Sequence, residues 1–199
     1  MEKIYSKQKN RELPVGSLFL GGFLVGTVLP NLIWKFQWRQ KTMASFYFLR
    51  SFAGKEVSGW DYFAEVLRVR GGIFLLLFLC GFTIFGVPLA VAAVLLTGLQ
   101  LGGILTMAVL EFGPGGAIAG LSLVMPQYLV YFPVLYFFSG YVYGQSRNIW
   151  KNYGILPSGT GKYVISCCLF FAAGLVGVML ETWVNPWLVE KTVKILKFF

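Results

Sequence analysis

The stretch from Gly71 to Leu110 reads GGIFLLLFLCGFTIFGVPLAVAAVLLTGLQLGGILTMAVL, forty residues without one charged side chain. A helix that crosses a bilayer needs only about 20 consecutive apolar residues, whereas forty helical residues would extend about 60 Å. Gly86 and Pro88 stand within the stretch and favour a break there. The stretch therefore predicts two membrane spans, at about 71–86 and 88–110, joined by a tight turn.

The rest of the chain continues this pattern on both sides. Residues 13–34, after a basic tail at 1–12, and residues 163–183 are each apolar enough for one span. We expect the first to be retained, because it is long enough to span and shows no clear small-residue cleavage site. The 199 residues are 57% hydrophobic and only 13% charged, whereas an ordinary soluble domain is about a quarter charged. The composition predicts an all-α polytopic transmembrane helix bundle of about five spans, with a single domain over 13–190.

The run from 116 to 145 is apolar throughout but contains Pro126, Gln127 and Pro133. Proline inside a helix removes a backbone donor and clashes with the preceding turn, so we expect a break near residue 126. One kinked span, a re-entrant half-helix followed by a span, and two short crossings all fit. An irregular backbone at membrane depth needs protein or water around it. Pro126 and Gln127 are therefore candidate structural or partner-binding residues.

Residues 42–70 form an amphipathic segment. Apolar residues recur in its second half at helical spacing opposite acidic ones: Trp60, Phe63 and Leu67 against Asp61 and Glu65. This pattern predicts a helix at the membrane surface that runs directly into the second span. The basic C-terminal tail, 191–199, carries three lysines at helical intervals and predicts a short surface helix.

The net charge of +9 has a membrane interpretation. The lysines and arginines lie in the segments that flank the apolar runs, where membrane proteins meet lipid headgroups. We therefore expect membrane lipid, and no nucleic acid, as a partner. These residues divide too evenly between the two sides to favour either orientation.

The side chains on which most enzymes depend are scarce. The chain contains no histidine, which excludes H-E-x-x-H zinc proteases, Ser–His intramembrane proteases and His-ligated haem. Its three cysteines, Cys80, Cys167 and Cys168, all lie inside apolar runs and have the character of packing residues. We expect no catalytic residue, no cofactor-binding residue and no metal site, and hence a protein that is not an enzyme.

Glu181 stands apart because it is a carboxylate at the exit of the last span, shortly before Pro186. A charged residue at membrane depth is a functional candidate by default. The alternative is an interfacial glutamate that caps a helix or pairs with a nearby lysine or arginine. Gly98 and Gly102, four residues apart, are candidates for close helix packing. We attribute the same spacing at Gly22 and Gly26 and in two other pairs to chance.

Three stretches in order carry a family resemblance. The first is Phe82–Leu89, which leads into the Gly98 helix; the second is Glu111–Gly116 with Met125–Gln127 behind it; the third is Glu181–Pro186. Together they resemble the stage II sporulation protein M family over about residues 60–190. Pro114 within the Phe-Gly turn is a departure from the family pattern.

This resemblance implies a bacterial cell-membrane protein, placed in the septal or engulfing membrane of an endospore-forming cell. Sporulation members of that family assemble with two peptidoglycan-degrading proteins, stage II sporulation proteins D and P, which thin the septal wall before engulfment. The implied function is a non-enzymatic scaffold that recruits or anchors such partners, and a homo-oligomer is possible. The alternative is a small transporter or channel subunit that uses Glu181 and the helix broken at Pro126, since transporters use such features.

Overall fold

A computed structural model describes residues 13–33, 59–152 and 160–196, and all their regular structure is helical. In chain order the helices are α1 (Val15–Ile33), α2 (Gly59–Cys80), α3 (Gly86–Phe112), α4 (Pro114–Val124), α5 (Gln127–Lys151), α6 (Thr160–Met179) and α7 (Asn185–Leu196). A π-helical turn, Leu180–Val184, joins α6 to α7 without a gap. Three predicted segments lie wholly or partly outside the described residues: the basic tail at 1–12, residues 42–58 of the amphipathic segment, and residues 197–199 of the C-terminal tail.

Three segments are long and apolar enough to cross a membrane: residues 15–32, 86–110 and 160–189. Helices α4 and α5 meet the same criteria together but are bent by 63° where they meet, which makes up to four candidate spans. This is fewer than the five or so that the sequence predicts.

The predicted span that is not among these candidates is the one at 71–86, which falls on α2. The helix ends at Cys80, so its uncharged part after Arg70 is ten residues long, or about 15 Å. Its first half carries the charged residues of the predicted surface helix. The surface helix and the apolar stretch after it are one continuous element, and the residues assigned to the end of the span form the turn before α3.

Side chains from α5 and α6 close the turn between α2 and α3. The Ser146 hydroxyl donates to the carbonyl of Thr83 and accepts from the Val87 amide at 3.1 Å. The Tyr163 hydroxyl donates to the Phe78 carbonyl at 3.0 Å. A helix end leaves backbone groups without intrahelical partners, and these bonds supply partners within the bundle.

Helices α1 and α3 approach each other through glycines. A Cβ atom built on Gly22, Gly26, Gly98 or Gly102 would lie 2.2–2.3 Å from a carbonyl oxygen of the facing helix. Small residues let transmembrane helices bring their backbones together. Attributing Gly22 and Gly26 to chance is therefore wrong, because they face the same contact as Gly98 and Gly102.

The apolar core lies mainly where α2, α3, α5 and α6 meet. The rings of Phe74 and Phe138 stack there with centroids 4.0 Å apart. Phe138 is buried and Phe74 is partly buried; the other buried residues that these four helices contribute are Leu77, Ala90, Val94, Val142, Tyr163 and Cys167.

Candidate functional site

Arg70 and Glu181 form an ion pair between α2 and the π-helical turn. The Nε and Nη2 atoms of Arg70 donate to the two carboxylate oxygens of Glu181 at 3.3 and 3.1 Å. The Tyr131 hydroxyl on α5 donates to the same carboxylate at 2.8 Å. A two-point arginine–carboxylate contact is strong and fixed in orientation. Glu181 therefore joins three helices.

The pair is partly removed from solvent, with the Arg70 side chain 32% exposed and the Glu181 side chain 13%. The guanidinium carbon also lies 5.2 Å from the centre of the Tyr131 ring, a distance at which a cation is attracted to the ring face. Tyr62, which lies on α2 outside the candidate spans, responds to this charge. Burial raises the pKa of Tyr62, and the Glu181 carboxylate raises it further.

The π-helical turn brings Glu181 into this position, and we attribute the turn to Pro186. Proline clashes with the carbonyl four residues earlier, here that of Thr182, and a wider turn relieves the clash. Such π turns are frequent at functional sites. Thr182 is buried, and its hydroxyl donates to the Val178 carbonyl at 2.8 Å.

Gly177, one turn before Glu181, makes room for its partner. A Cβ atom at Gly177 would lie 2.4 Å from a ring carbon of Tyr131. The Tyr131 ring therefore passes over the bare backbone of α6 on its way to the carboxylate. The position of the Tyr131 ring therefore depends on the absence of a side chain at Gly177.

The break between α4 and α5 lies close to the start of α7. Helix α4 ends at Val124 and α5 begins at Gln127. The carbonyl of Leu123 accepts from the Gln127 side-chain amide at 2.6 Å and from the Asn185 side-chain amide at 3.2 Å. Side chains thus replace a backbone bond that the break removes. Gln127 is only 3% exposed, and its Oε1, like the Oδ1 of Asn185, is buried without a partner among the described residues.

Aromatic rings mark one end of the site. The Trp183 ring lies 5.6 Å from the Trp60 ring and 5.4 Å from the Phe63 ring, measured between centroids. Trp60 and Trp183 are exposed. Tryptophan is enriched where a membrane meets water, so this end of the bundle has the character of the interface.

A cavity of about 310 Å³ lies beside the ion pair between α2, α3, α5 and α6. Arg70, Gln100, Tyr128 and Tyr131 contribute polar groups to it, and almost all the remaining lining is aliphatic or aromatic. Within the parts of the chain that the structure describes, no cluster of cysteine, aspartate and glutamate could hold a metal ion. The lining of the cavity consists of hydrogen-bonding side chains and apolar surface.

The six sequence candidates lie in three places, two of which are neighbours. Gly98 and Gly102 lie at the α1 contact. Glu181 and Pro186 lie in and just after the π turn, and Pro126 and Gln127 lie at the α4–α5 break, which Asn185 also contacts.

The sequence patterns do not identify Arg70, Tyr131 or Gly177 as site residues. Arg70 carried a signal, since it is the last charge before forty uncharged residues. The other two give none, because a tyrosine and a glycine in an apolar run are ordinary.

Comparisons with protein-family models, with curated proteins and with solved structures find no match for this chain.

Proposed function

We propose that this protein is a non-enzymatic membrane scaffold that recruits or anchors peptidoglycan-remodelling partners. The resemblance of three ordered stretches to the stage II sporulation protein M family supports this proposal. It makes stage II sporulation proteins D and P the expected partners, and septal wall thinning and engulfment during endospore formation the expected process. The bacterial cell membrane, at the septum or around the engulfed forespore, is the expected location.

The observation that carries the proposal is the closed arrangement around Glu181. Both of its oxygens are engaged, by Arg70 and by Tyr131. A carboxylate that binds and releases a cation must exchange its partners during the cycle, whereas one that joins helices keeps them. The geometry favours a fixed junction, which is what a scaffold needs to present a constant surface.

Co-purification tests the scaffold function. We expect the full chain in mild detergent to retain purified stage II sporulation proteins D and P on an affinity column. Glu181→Gln should weaken this retention, because it loosens the junction of α2, α5 and α6. Glu65→Gln, the same chemical change at an exposed position of α2, is the matched control and should retain both partners. Failure of the unmodified chain to retain either partner would refute the proposal.

The transporter alternative is favoured by one feature, the bent pair α4–α5. Beside the bend, the Gln127 Oε1 has no hydrogen-bond partner within the described part of the chain. Transporters place broken helices around their ion sites. The test is a flux measurement in vesicles under a proton or sodium gradient. A flux that Glu181→Gln abolishes and Glu65→Gln preserves would replace the scaffold with the transporter.

A further inference from the structure

The cavity beside Arg70 is polar at one end and apolar over the rest of its length. Arg70, Gln100 and Tyr128 lie at the polar end. The apolar part extends along α2 to Leu77 and along α3 to Leu89, next to the turn that joins these helices. This division matches an amphiphile, a molecule with a hydrogen-bonding end and a hydrocarbon tail.

The polar end lies on the side of the membrane interface. Glu181, which holds Arg70, is two residues before Trp183, and the Trp183 ring contacts Trp60 and Phe63. Helical side chains also point toward the N-terminus of their helix, so Arg70 extends toward the Trp60 end of α2. The apolar part therefore extends away from the interface, in the direction that a lipid tail takes.

The length of the cavity agrees with the reach of one acyl chain. From Gln100 to Leu89 the lining of α3 covers eleven residue steps, or about 16 Å. The hydrocarbon core of a bilayer is about 30 Å thick, so one leaflet accounts for about half of it. A single acyl chain has this reach.

The surface onto which the cavity opens indicates its occupant. Ile73, Leu76 and Leu96 line the cavity and are at least half exposed. The cavity therefore opens on an apolar surface, where lipid tails are the adjacent molecules.

We propose that this cavity binds one acyl chain of a membrane glycerophospholipid. The phosphate and ester oxygens accept hydrogen bonds from Arg70, Tyr128 and Gln100. An arginine has five N–H donors, and Glu181 occupies two of them on Arg70. Because Glu181 also balances the charge of Arg70, recognition rests on hydrogen bonds and chain burial. This site goes beyond the scaffold function and does not depend on it.

Photocrosslinking tests the site in the full chain. The protein is reconstituted into vesicles of phosphatidylglycerol and phosphatidylethanolamine that contain a phospholipid with a diazirine on one acyl chain. A diazirine near the ester should label peptides around Thr97, and one near the methyl end should label peptides around Leu77 and Leu89. Adducts in the reverse order, or adducts spread evenly over all helices, would overturn the proposal.

Two glycine substitutions provide the matched pair. A Cβ atom at Gly174 or at Gly144 meets no atom of residues 13–33, 59–152 or 160–196 within 4 Å, and of these two glycines only Gly174 lines the cavity. We expect Gly174→Leu to reduce labelling about tenfold and Gly144→Leu to change it less than about twofold. Ala92→Leu, which fills the cavity from α3, gives a second reading if Gly174→Leu does not fold. Equal labelling of the filled and control variants would disprove the lipid site.

Discussion

The α1–α3 contact and the Arg70–Glu181 junction join helices by opposite means. At the first, glycines on both sides let one backbone lie against the other. At the second, the side chains of Arg70 and Tyr131 reach across the space between helices and meet at the Glu181 carboxylate. The first contact has no flexible part, because the facing atoms are backbone carbonyls. The second consists of side chains, which can adjust.

This difference predicts different tolerance to substitution. One added carbon atom at a close backbone contact forces the helices apart, because a backbone can move away only if its whole helix moves. A side-chain junction loses only the bonds that the substitution removes. The free energy of unfolding of matched variants therefore measures how far the comparison holds.

The largest effect is expected for Gly98→Ala. Its new Cβ would lie 2.3 Å from the Phe19 carbonyl oxygen, so α1 and α3 must separate, at a cost of about 3 kcal/mol. Gly140→Ala is the control, because a Cβ there meets no atom within 4 Å in the part of the chain that the structure describes. The control should be neutral or stabilising by up to about 1 kcal/mol, as alanine favours helix. Reversible unfolding in mixed detergent micelles gives both values, and equal values for the two variants would contradict the close contact.

An intermediate effect is expected for Glu181→Gln. It keeps the shape of the side chain but leaves Arg70 without a counter-charge, which costs about 1–3 kcal/mol. Glu65→Gln at an exposed site should stay within about 0.5 kcal/mol.

The double variant Arg70→Leu/Glu181→Leu should cost less than the sum of its two single changes, since the second removes a charge that the first left unpaired. Additive costs would show that the pair does not couple the helices.

The helix break at Pro126 and the glycine contacts show what a sequence can and cannot predict. Pro126 disfavours a continuous helix by local chemistry, and a helix ends just before it. Pairs of glycines four residues apart look alike, yet Gly98 meets a backbone and Gly140 meets open space. Which face of a helix is covered depends on the arrangement of the other helices.

The junction shows the same limit at longer range. The sequence places Glu181 at the end of a span and leaves open whether it pairs with a basic residue. Its partner, Arg70, is 111 residues away in a segment that the pattern assigns to the membrane surface. Many lysines and arginines flank the apolar runs, so no local rule selects this one. The pair follows from the packing of α2 against the end of α6.

The smallest effect, and the sharpest test of the comparison, is expected for Gly177→Ala. This glycine combines the two modes, because its missing side chain makes room for a ring and not for a backbone. A Cβ there would lie 2.4 Å from Tyr131, nearly as close as the contact at Gly98. The tyrosine can rotate away, however, so the cost in free energy of unfolding should be about that of the hydrogen bond that it loses, roughly 1 kcal/mol.

In a Tyr131→Phe background that bond is already absent, and adding Gly177→Ala should then cost clearly less. Unfolding of the four proteins in this cycle measures the coupling. A cost at Gly177 that equals the cost at Gly98, or one unchanged by Tyr131→Phe, would mean that the junction is as rigid as the glycine contact.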